Sequence, residues 1–389
     1  MSEILMGFVG DMLVNRNDPR DAFSEVREVL KTPQVLFANL EGTYTDDPCP
    51  VPGAVGSACS GPANNLDVYA EVGFDVMSLA NNHILDLGYT PMLENRSRLR
   101  AHGVKTCGAG DCLADAREPA IVETAGLRIA FLAYASVFPI GFEARSDAPG
   151  LAPMRAYNFW RDPYPLFHVP GKQPLVTTVP DQTDLANLSE DIRRARTRAD
   201  LVVTSFHWGE YTRPFHLTDH ETRTARYCID QGADMVVGHH HHALRGMEWY
   251  NGKPIMYGLG HFVFDLRLPW SEEEYNRLLS DMDPTGYFQS GYFTAPRKGW
   301  PLLPMHEDTR MTLIAWASAG RDGIHDIGFL PCRLTPDGLV HTLRLGSPES
   351  HEVVNYLEKC NQTQGLKSRI VSERAIPMAG FDTLRVVPG

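Results

Sequence analysis

Residues 234–242 read Asp-Met-Val-Val-Gly-His-His-His-His, DMVVGHHHH, and the rest of the chain is read outward from them. Asp234–Val237 is a short, β-branched apolar run of strand length, and it ends on Gly238 and four histidines. A tag fragment is excluded because the run is internal and follows a buried strand. The same arrangement recurs upstream. Ile4–Val9 leads to Asp11, Val35–Leu40 closes on Asn39 and Glu41, Asp75–Ala80 runs to Asn82 and His83, and Leu201–Phe206 is followed by His207 and Glu210. Five strands thus end in residue types that bind metal or move protons. In open α/β sheets ligands collect at the carboxyl ends of strands, so the pattern predicts one shared site.

Between these strands the chain alternates with helical stretches, which predicts an α/β fold with a sheet covered by helices. Helices are expected at about Asp21–Leu30, from Thr90-Pro91 to His102-Gly103, at Asp184–Arg198 and at Thr218–Gln231. Further strands are expected at Ile121–Glu123, Arg128–Ala133, Ile255–Tyr257, Phe262–Phe264, Met311–Trp316 and Ile327–Cys332, with a terminal helix at Val353–Asn361. No repeat or clean linker divides the chain, so residues 1–389 are expected to form a single domain. Two stretches near 138–180 and 266–305 are rich in Pro, Gly and aromatics, and read as irregular, lid-like or substrate-facing insertions. The second carries Trp270, Tyr275, Tyr287, Phe288, Tyr292, Phe293 and Trp300.

Bulk properties narrow the partners. The chain has 389 residues and a formal net charge of -12, which opposes nucleic-acid and anionic-membrane binding. No run approaches the roughly 18 apolar residues of a membrane span. Met1–Gly10 has no basic leader, and the seven cysteines are odd in number and scattered, which fits reduced thiols and a cytoplasmic location. The expected partner is a peptide or small-molecule substrate, with no nucleic acid and no membrane.

Taken singly, Asp11 reads as a turn cap, Asn82 as a turn residue and His207 as a packed histidine. Together with Glu41 and the His239–His242 run they form a mixed oxygen and nitrogen donor set. Such a set suits Mn, Fe, Zn, Mg or Ca, and thiolates are absent from it. More than four candidate ligands suggests two divalent ions sharing one carboxylate, for which Glu41 is the choice. His239 and His240 both have suitable spacing to His242. No nucleophile elbow and no Gly-rich phosphate loop appears.

At these residues the chain resembles the CapA family, named for poly-γ-glutamate capsule synthesis, within the calcineurin-like metallophosphoesterases. The matching pieces are Gly10-Asp11, Asn39-Leu40-Glu41, Ala80-Asn81-Asn82-His83, His207-Trp208-Gly209-Glu210, Gly238 through His242, and Tyr257-Gly258-Leu259-Gly260-His261-Phe262. They span most of residues 4–265, and the C-terminal third matches more loosely. The resemblance implies a four-layer α/β/β/α sandwich, with Asp11, Glu41, Asn82, His207 and His242 at metal-binding positions. It also implies a proton-donating His83, which Asp86 can orient, and Glu210 is either a partner of His207 or a solvated charge. The chain departs from the wider Asp-x-His pattern, because Met12 and Leu13 follow Asp11. His261 stands where Asn is usual after Leu-Gly, which adds a base.

Three functions are compatible with this set. Cα epimerisation of a peptide or acylated amino acid is favoured, because the family is similar to a lasso-peptide epimerase and His83, His261 and His306 supply more bases than hydrolysis needs. The alternative is metal-dependent hydrolysis of a phosphoester or amide, γ-glutamyl-like, bond. The third is a non-catalytic role in polymer synthesis or export.

Overall fold

Two sheets are built from the apolar runs. The computed structural model describes residues 3–51, 59–267 apart from 165 and 168, and 305–389 apart from 374. It also describes the isolated positions 271, 273, 274, 277, 299, 300 and 302. The strands of the two sheets are β1 (Ile4–Leu13), β2 (Val35–Leu40), β3 (Val76–Ser78), β4 (Lys105–Cys107), β5 (Ala120–Thr124), β6 (Leu127–Ala135), β7 (Leu201–His207) and β8 (Met235–His239). They continue with β9 (Met247–Tyr250), β10 (Lys253–Met256), β11 (His261–Phe264), β12 (Met311–Gly320), β13 (Gly323–Leu334), β14 (Val340–Thr342), β15 (Ser368–Val371) and β16 (Leu384–Pro388).

A ten-stranded sheet runs β15-β16-β13-β12-β1-β2-β3-β4, with β11 beside β1 and β14 beside β13. A six-stranded sheet runs β9-β10-β8-β7-β6-β5. The strands that carry the candidate site, β1, β2, β3 and β11 in one sheet and β7 and β8 in the other, pair in parallel within their sheets. Their carboxyl ends therefore lie together.

The two sheets pack face to face, because alternate residues of both are apolar. Phe37 of β2 stacks on Phe131 of β6 across the gap with ring centroids 5.4 Å apart. Met6, Phe8, Val203, Val237 and Leu313 belong to the same core. On the outer side of the larger sheet α1 (Tyr89–Ala101) packs against β4. The reverse face of the smaller sheet is equally apolar. Val202, Phe206 and Val236 there bury Leu188 and Ile192 of α2 (Gln182–Arg196), and Ala225, Cys228 and Ile229 of α3 (Asp219–Asp230). The result is an α/β/β/α sandwich, as the resemblance implies. About 25 cal/mol per Å² of apolar burial drives this layering.

Several expected boundaries change. The helix expected over Asp21–Leu30 is a 3-10 turn at Pro19–Phe23 followed by a four-residue helix, Arg27–Leu30. α1 starts at Tyr89 after Gly88, so Thr90 lies inside it and is not its cap. β1 runs on to Leu13 and takes in Asp11. Residues 138–180 are not irregular throughout. Ala156–Arg161 and Leu175–Pro180 pair as an antiparallel ribbon. Tyr157, Phe159, Trp160 and Phe167 are exposed on or beside it. The stretch 266–305 lies mostly outside the described residues, as do Trp270, Tyr275, Tyr287, Phe288, Tyr292 and Phe293.

Candidate metal centre

Strand periodicity delivers most of the donors. Because Phe37 faces the smaller sheet, Asn39 and Glu41 follow on the same face at intervals of two. His207 and His239 lie opposite one another in register, in line with the inward residues Val203 and Val237.

Asp11 needs a further device. Phe8 pairs with the inward Phe37, so simple alternation would send Gly10 and Met12 inward and Asp11 outward. Between Phe8 and Asp11 the register with β2 shifts by one residue, and Asp11 pairs with Asn39. The extra residue turns Asp11 onto the inner face. There Asn39 Nδ2 donates to Asp11 Oδ1 at 2.9 Å. Gly10 makes this possible, since a Cβ there would collide with the carbonyl of Gly260. Asp11 N–H donates to that same carbonyl at 2.9 Å.

The structure brings Asp11, Glu41, Asn82, His207, His239, His240 and His242 together. Among the described residues, two groups offer ligand atoms all within 4.8 Å of one another: Asp11, Glu41 and His207, and Glu41, His240 and His242. Glu41 belongs to both. Its Oε1 is 3.7 Å from His207 Nε2 and 3.7 Å from His242 Nε2. His207 Nε2 is also 2.6 Å from Asn82 Oδ1 and 3.1 Å from His240 Nδ1. His239 Nδ1 lies 3.3 Å from Asp11 Oδ1. Donors bound at about 2.0–2.2 Å to one ion sit about 3.0–3.5 Å apart. The His207–His240 and His239–Asp11 separations lie in that range, the two Glu41 separations just beyond it, and the shorter His207–Asn82 contact is a hydrogen-bond distance.

Hydrogen bonding tests the fit. Both carboxylate oxygens of Glu41, both ring nitrogens of His239, and His242 Nδ1 are buried with no hydrogen-bond partner among the described residues. An unpaired buried carboxylate is costly, and such groups are ordinarily paired or coordinate metal. A cluster of unsatisfied carboxylate and imidazole donors therefore fits divalent cations.

Burial and neighbouring charge act strongly on these groups. Burial pushes Glu41 well above the usual carboxylate range, and the neighbouring Asp11 charge adds to it. Burial alone would raise Asp11 too, but the contact with His239 overrides this and leaves it at about 2. Burial, and then the neighbouring imidazoles, hold His207 and His242 well below the ordinary histidine value, and burial brings His240 to about 3. Neutral imidazole is the form that ligates.

His83 stands at the edge of this cluster. Its Nδ1–H donates to Asp86 Oδ2 at 2.7 Å, as expected, and its Nε2 is 4.0 Å from Glu41 Oε1. Burial lowers its pKa, but the contacts with Cys59 and Asp86 more than reverse this and hold the ring well above the ordinary value. His261 sits beside Asp11 in register, fully buried, with its ring stacked on His242 at 4.4 Å and on Phe264 at 4.2 Å. Its enclosure pushes it to about 3. His306 lies outside both ligand groups. It caps the 3-10 turn Glu307–Arg310, where its Nδ1 accepts from Asp308 N–H at 3.2 Å. Glu210 accepts from Thr212 and from Arg213 within its own loop.

Three neighbours of the centre carry roles that the sequence reading did not assign. Asn39 joins Asp11 to His207, its Nδ2 3.3 Å from His207 Nδ1. Asn81 Nδ2 in turn donates to Leu40 O at 2.7 Å and to Asn39 Oδ1 at 3.3 Å. Cys59, buried beside the short strand pair that Ser60–Gly61 forms with Thr43–Tyr44, lies against His83. The Asn39-Leu40-Glu41 spacing was a usable signal for Asn39, because i and i+2 share a strand face. Nothing local pointed to Cys59.

Known proteins are similar to this part of the chain. The family described as bacterial capsule synthesis protein PGA_cap matches residues 5–266. An uncharacterized protein, y4sH, of Sinorhizobium fredii is 31% identical over 328 residues, covering 71% of this chain and 69% of that one. The PGA biosynthesis protein CapA of Bacillus subtilis is 27% identical, covering 68% of this chain and 62% of that one. A solved hypothetical protein from Thermus thermophilus is similar over 84% of this chain and 98% of its own, at 15% identity and a TM-score of 0.45. The calcineurin-like phosphoesterase YfkN from Bacillus subtilis covers 93% of this chain and 97% of its own, at 11% identity and a TM-score of 0.36. With a single profile matching residues 5–266, across every strand end that supplies the cluster, the chain belongs to the bacterial capsule synthesis protein PGA_cap, or CapA, family.

Proposed function

We propose that this chain is a divalent-metal-dependent hydrolase of an amide or phosphoester bond. The observation that carries this reading is an imidazole at the edge of the ligand cluster, oriented by a carboxylate outside it: His83, fixed by Asp86 with Nε2 4.0 Å from Glu41 Oε1. Asp11, Glu41, Asn82, His207, His240 and His242 are the residues that would hold one or two ions, with Glu41 shared. Bound ions would supply Lewis-acid polarisation of the scissile group and lower the pKa of water. Asp86 holds the Nδ1–H of His83, so Nε2 is the nitrogen that transfers a proton to the leaving group. Burial of the cluster strengthens each of these electrostatic contacts. The names of the Bacillus relatives, which refer to PGA and capsule biosynthesis, support an amide of the peptide or acyl-amino-acid kind.

We read residues 1–389 as one domain acting in the cytoplasm, where seven unpaired thiols stay reduced. Among the described residues, no helix is long and apolar enough to cross a membrane.

A second reading, Cα epimerisation of a peptide, is favoured by His261, an additional imidazole whose ring stacks on His242 at 4.4 Å. Inversion needs proton carriers on both faces of the carbon. His261 is fully buried behind His242 and Phe264, so hydrolysis is the better supported reaction.

The test uses the Mn-loaded protein with γ-glutamyl-p-nitroanilide, bis-p-nitrophenyl phosphate and N-acylated peptides, in deuterated water carrying heavy oxygen. Cleavage that places heavy oxygen in the product is the expected result. An uncleaved peptide with deuterium fixed at Cα would replace hydrolysis with epimerisation, and no turnover of any kind would leave a binding role.

A further inference from the structure

His241, the one member of the histidine run that turns away from the cluster, has a partner of its own. Its Nε2 meets Glu221 Oε1 at 2.8 Å, and both side chains are fully buried. The ring lies in a slot lined by two glycines. A Cβ on Gly209 would collide with His241 Nε2, and one on Gly258 would come within 2.9 Å of His241 Nδ1. Glu221 is also the third residue of α3, and its other oxygen closes the capping box. Thr218 N–H donates to Glu221 Oε2 at 2.6 Å and Thr218 Oγ1 at 2.7 Å. One carboxylate therefore ties the start of α3 to the loop that carries the candidate ligands.

That loop needs holding. His240 has φ +91° and His242 φ +56°, left-handed backbone that residues with a Cβ adopt only when their surroundings enforce it. On the cluster side the support is His240 N–H donating to Asp11 Oδ2 at 3.2 Å. On the far side it is the His241 contact. A side chain anchored between two left-handed residues fixes the direction of both, because the loop cannot rotate about its ends without withdrawing the ring from its slot.

We propose that Glu221 and His241 form a positioning clamp, which holds His240 and His242 aimed at Glu41 and so sets the affinity of the ion they share. The clamp rests on the metal-centre reading above. Neither residue touches substrate or ion; both act through the backbone of the loop. Outer partners of metal ligands typically contribute about 10–100-fold in affinity, and this is the effect expected here.

The experiment titrates the full chain with Mn2+, following electron paramagnetic resonance, for the wild type, His241→Phe, Glu221→Ala, Glu221→Gln and Thr218→Ala. His241→Phe keeps the ring volume and the α3 cap but loses the donor, and is expected to weaken the ion at His240 and His242 by about 10–100-fold. Glu221→Ala should do the same, while Glu221→Gln keeps one acceptor for His241 at the expense of the cap, and should show near-wild-type affinity with a lowered melting temperature. Thr218→Ala loses the hydroxyl's part of the cap and its contact with His220 but leaves the Glu221–His241 pair, and should lower the melting temperature with Mn2+ affinity unchanged. Wild-type affinity in His241→Phe would overturn the clamp, as would equal weakening in Thr218→Ala. Should the wild type bind no Mn2+, the metal-centre reading fails on its own. Hydrogen exchange of the 240–244 amides then decides the clamp, with faster exchange in His241→Phe expected and unchanged exchange overturning it.

Discussion

Asp86 Oδ2 receives the Nδ1–H of His83 at 2.7 Å, and this contact determines that Nε2 is the ring nitrogen facing Glu41. A proton-transfer residue contributes about 10²–10⁴-fold to rate. His83→Ala is therefore expected to lower kcat by that order with metal content unchanged, as measured by steady-state kinetics beside elemental analysis. Asp86→Asn should give a smaller loss and a displaced pH–rate profile. Normal turnover in His83→Ala would return His83 to a packing role.

Glu41 belongs to both ligand groups, whereas Asp11 with His207 and His240 with His242 belong to one each. Glu41→Gln is expected to abolish binding of both ions. Asp11→Ala and His242→Ala should each remove one equivalent while the far-ultraviolet dichroism stays native. Full occupancy in Glu41→Gln would remove the shared-carboxylate proposal.

Gly10→Ala tests the close approach of β1 to the 258–260 turn, where a Cβ would meet the Gly260 carbonyl. Backbone must shift to relieve this clash, so a loss of about 3 kcal/mol or more is expected, or failure to fold. Gly73→Ala is the comparison. Gly73 has φ +105° but nothing within 4 Å of a Cβ, and it should cost only about 1 kcal/mol. Urea denaturation midpoints measure both, and equal losses would show that β1 tolerates the side chain.

Burial holds His240 and His261 at about 3 in the folded protein, against about 6.5 in the unfolded chain. As pH falls below 6.5 the unfolded state takes up these protons first. The stability they contribute is thus complete above pH 6.5 and is lost progressively toward pH 3. Each group adds a slope of up to about 1.4 kcal/mol per pH unit. In metal-free protein, denaturation midpoints should fall between pH 6.5 and 4, and His261→Phe should flatten the decline. An unchanged slope in that variant would show that His261 is not buried neutral.

Much of the site was legible because strand ends advertise themselves. An apolar run followed by Asp11, Glu41, Asn82, His207 or His239 is a local pattern, and parallel pairing brings such ends together. Other features followed different rules. The ribbon at 156–161 and 175–180 was obscured by prolines and exposed aromatics, which carry no inward and outward alternation. His306 read as a base from composition, yet its ring nitrogen is used to cap a turn. The second partner of Glu221 was equally hidden, since its capping box is visible in Thr218-x-x-Glu221 but its contact with His241 spans 20 residues.

The sequence by itself determined which residues carry candidate donor atoms and on which strands they ride, because side-chain chemistry and a period of two are properties of short segments. Tertiary structure decided which way the donors point. The one-residue shift that turns Asp11 inward depends on pairing with β2. The contact between Asp11 and His240 joins residues 229 positions apart and closes only when the two sheets pack. The enclosure of His261 behind His242 and Phe264 likewise comes from packing, and its burial weakens the case for a second proton carrier. Orientation and burial are set by neighbours distant along the chain, and no local pattern encodes them.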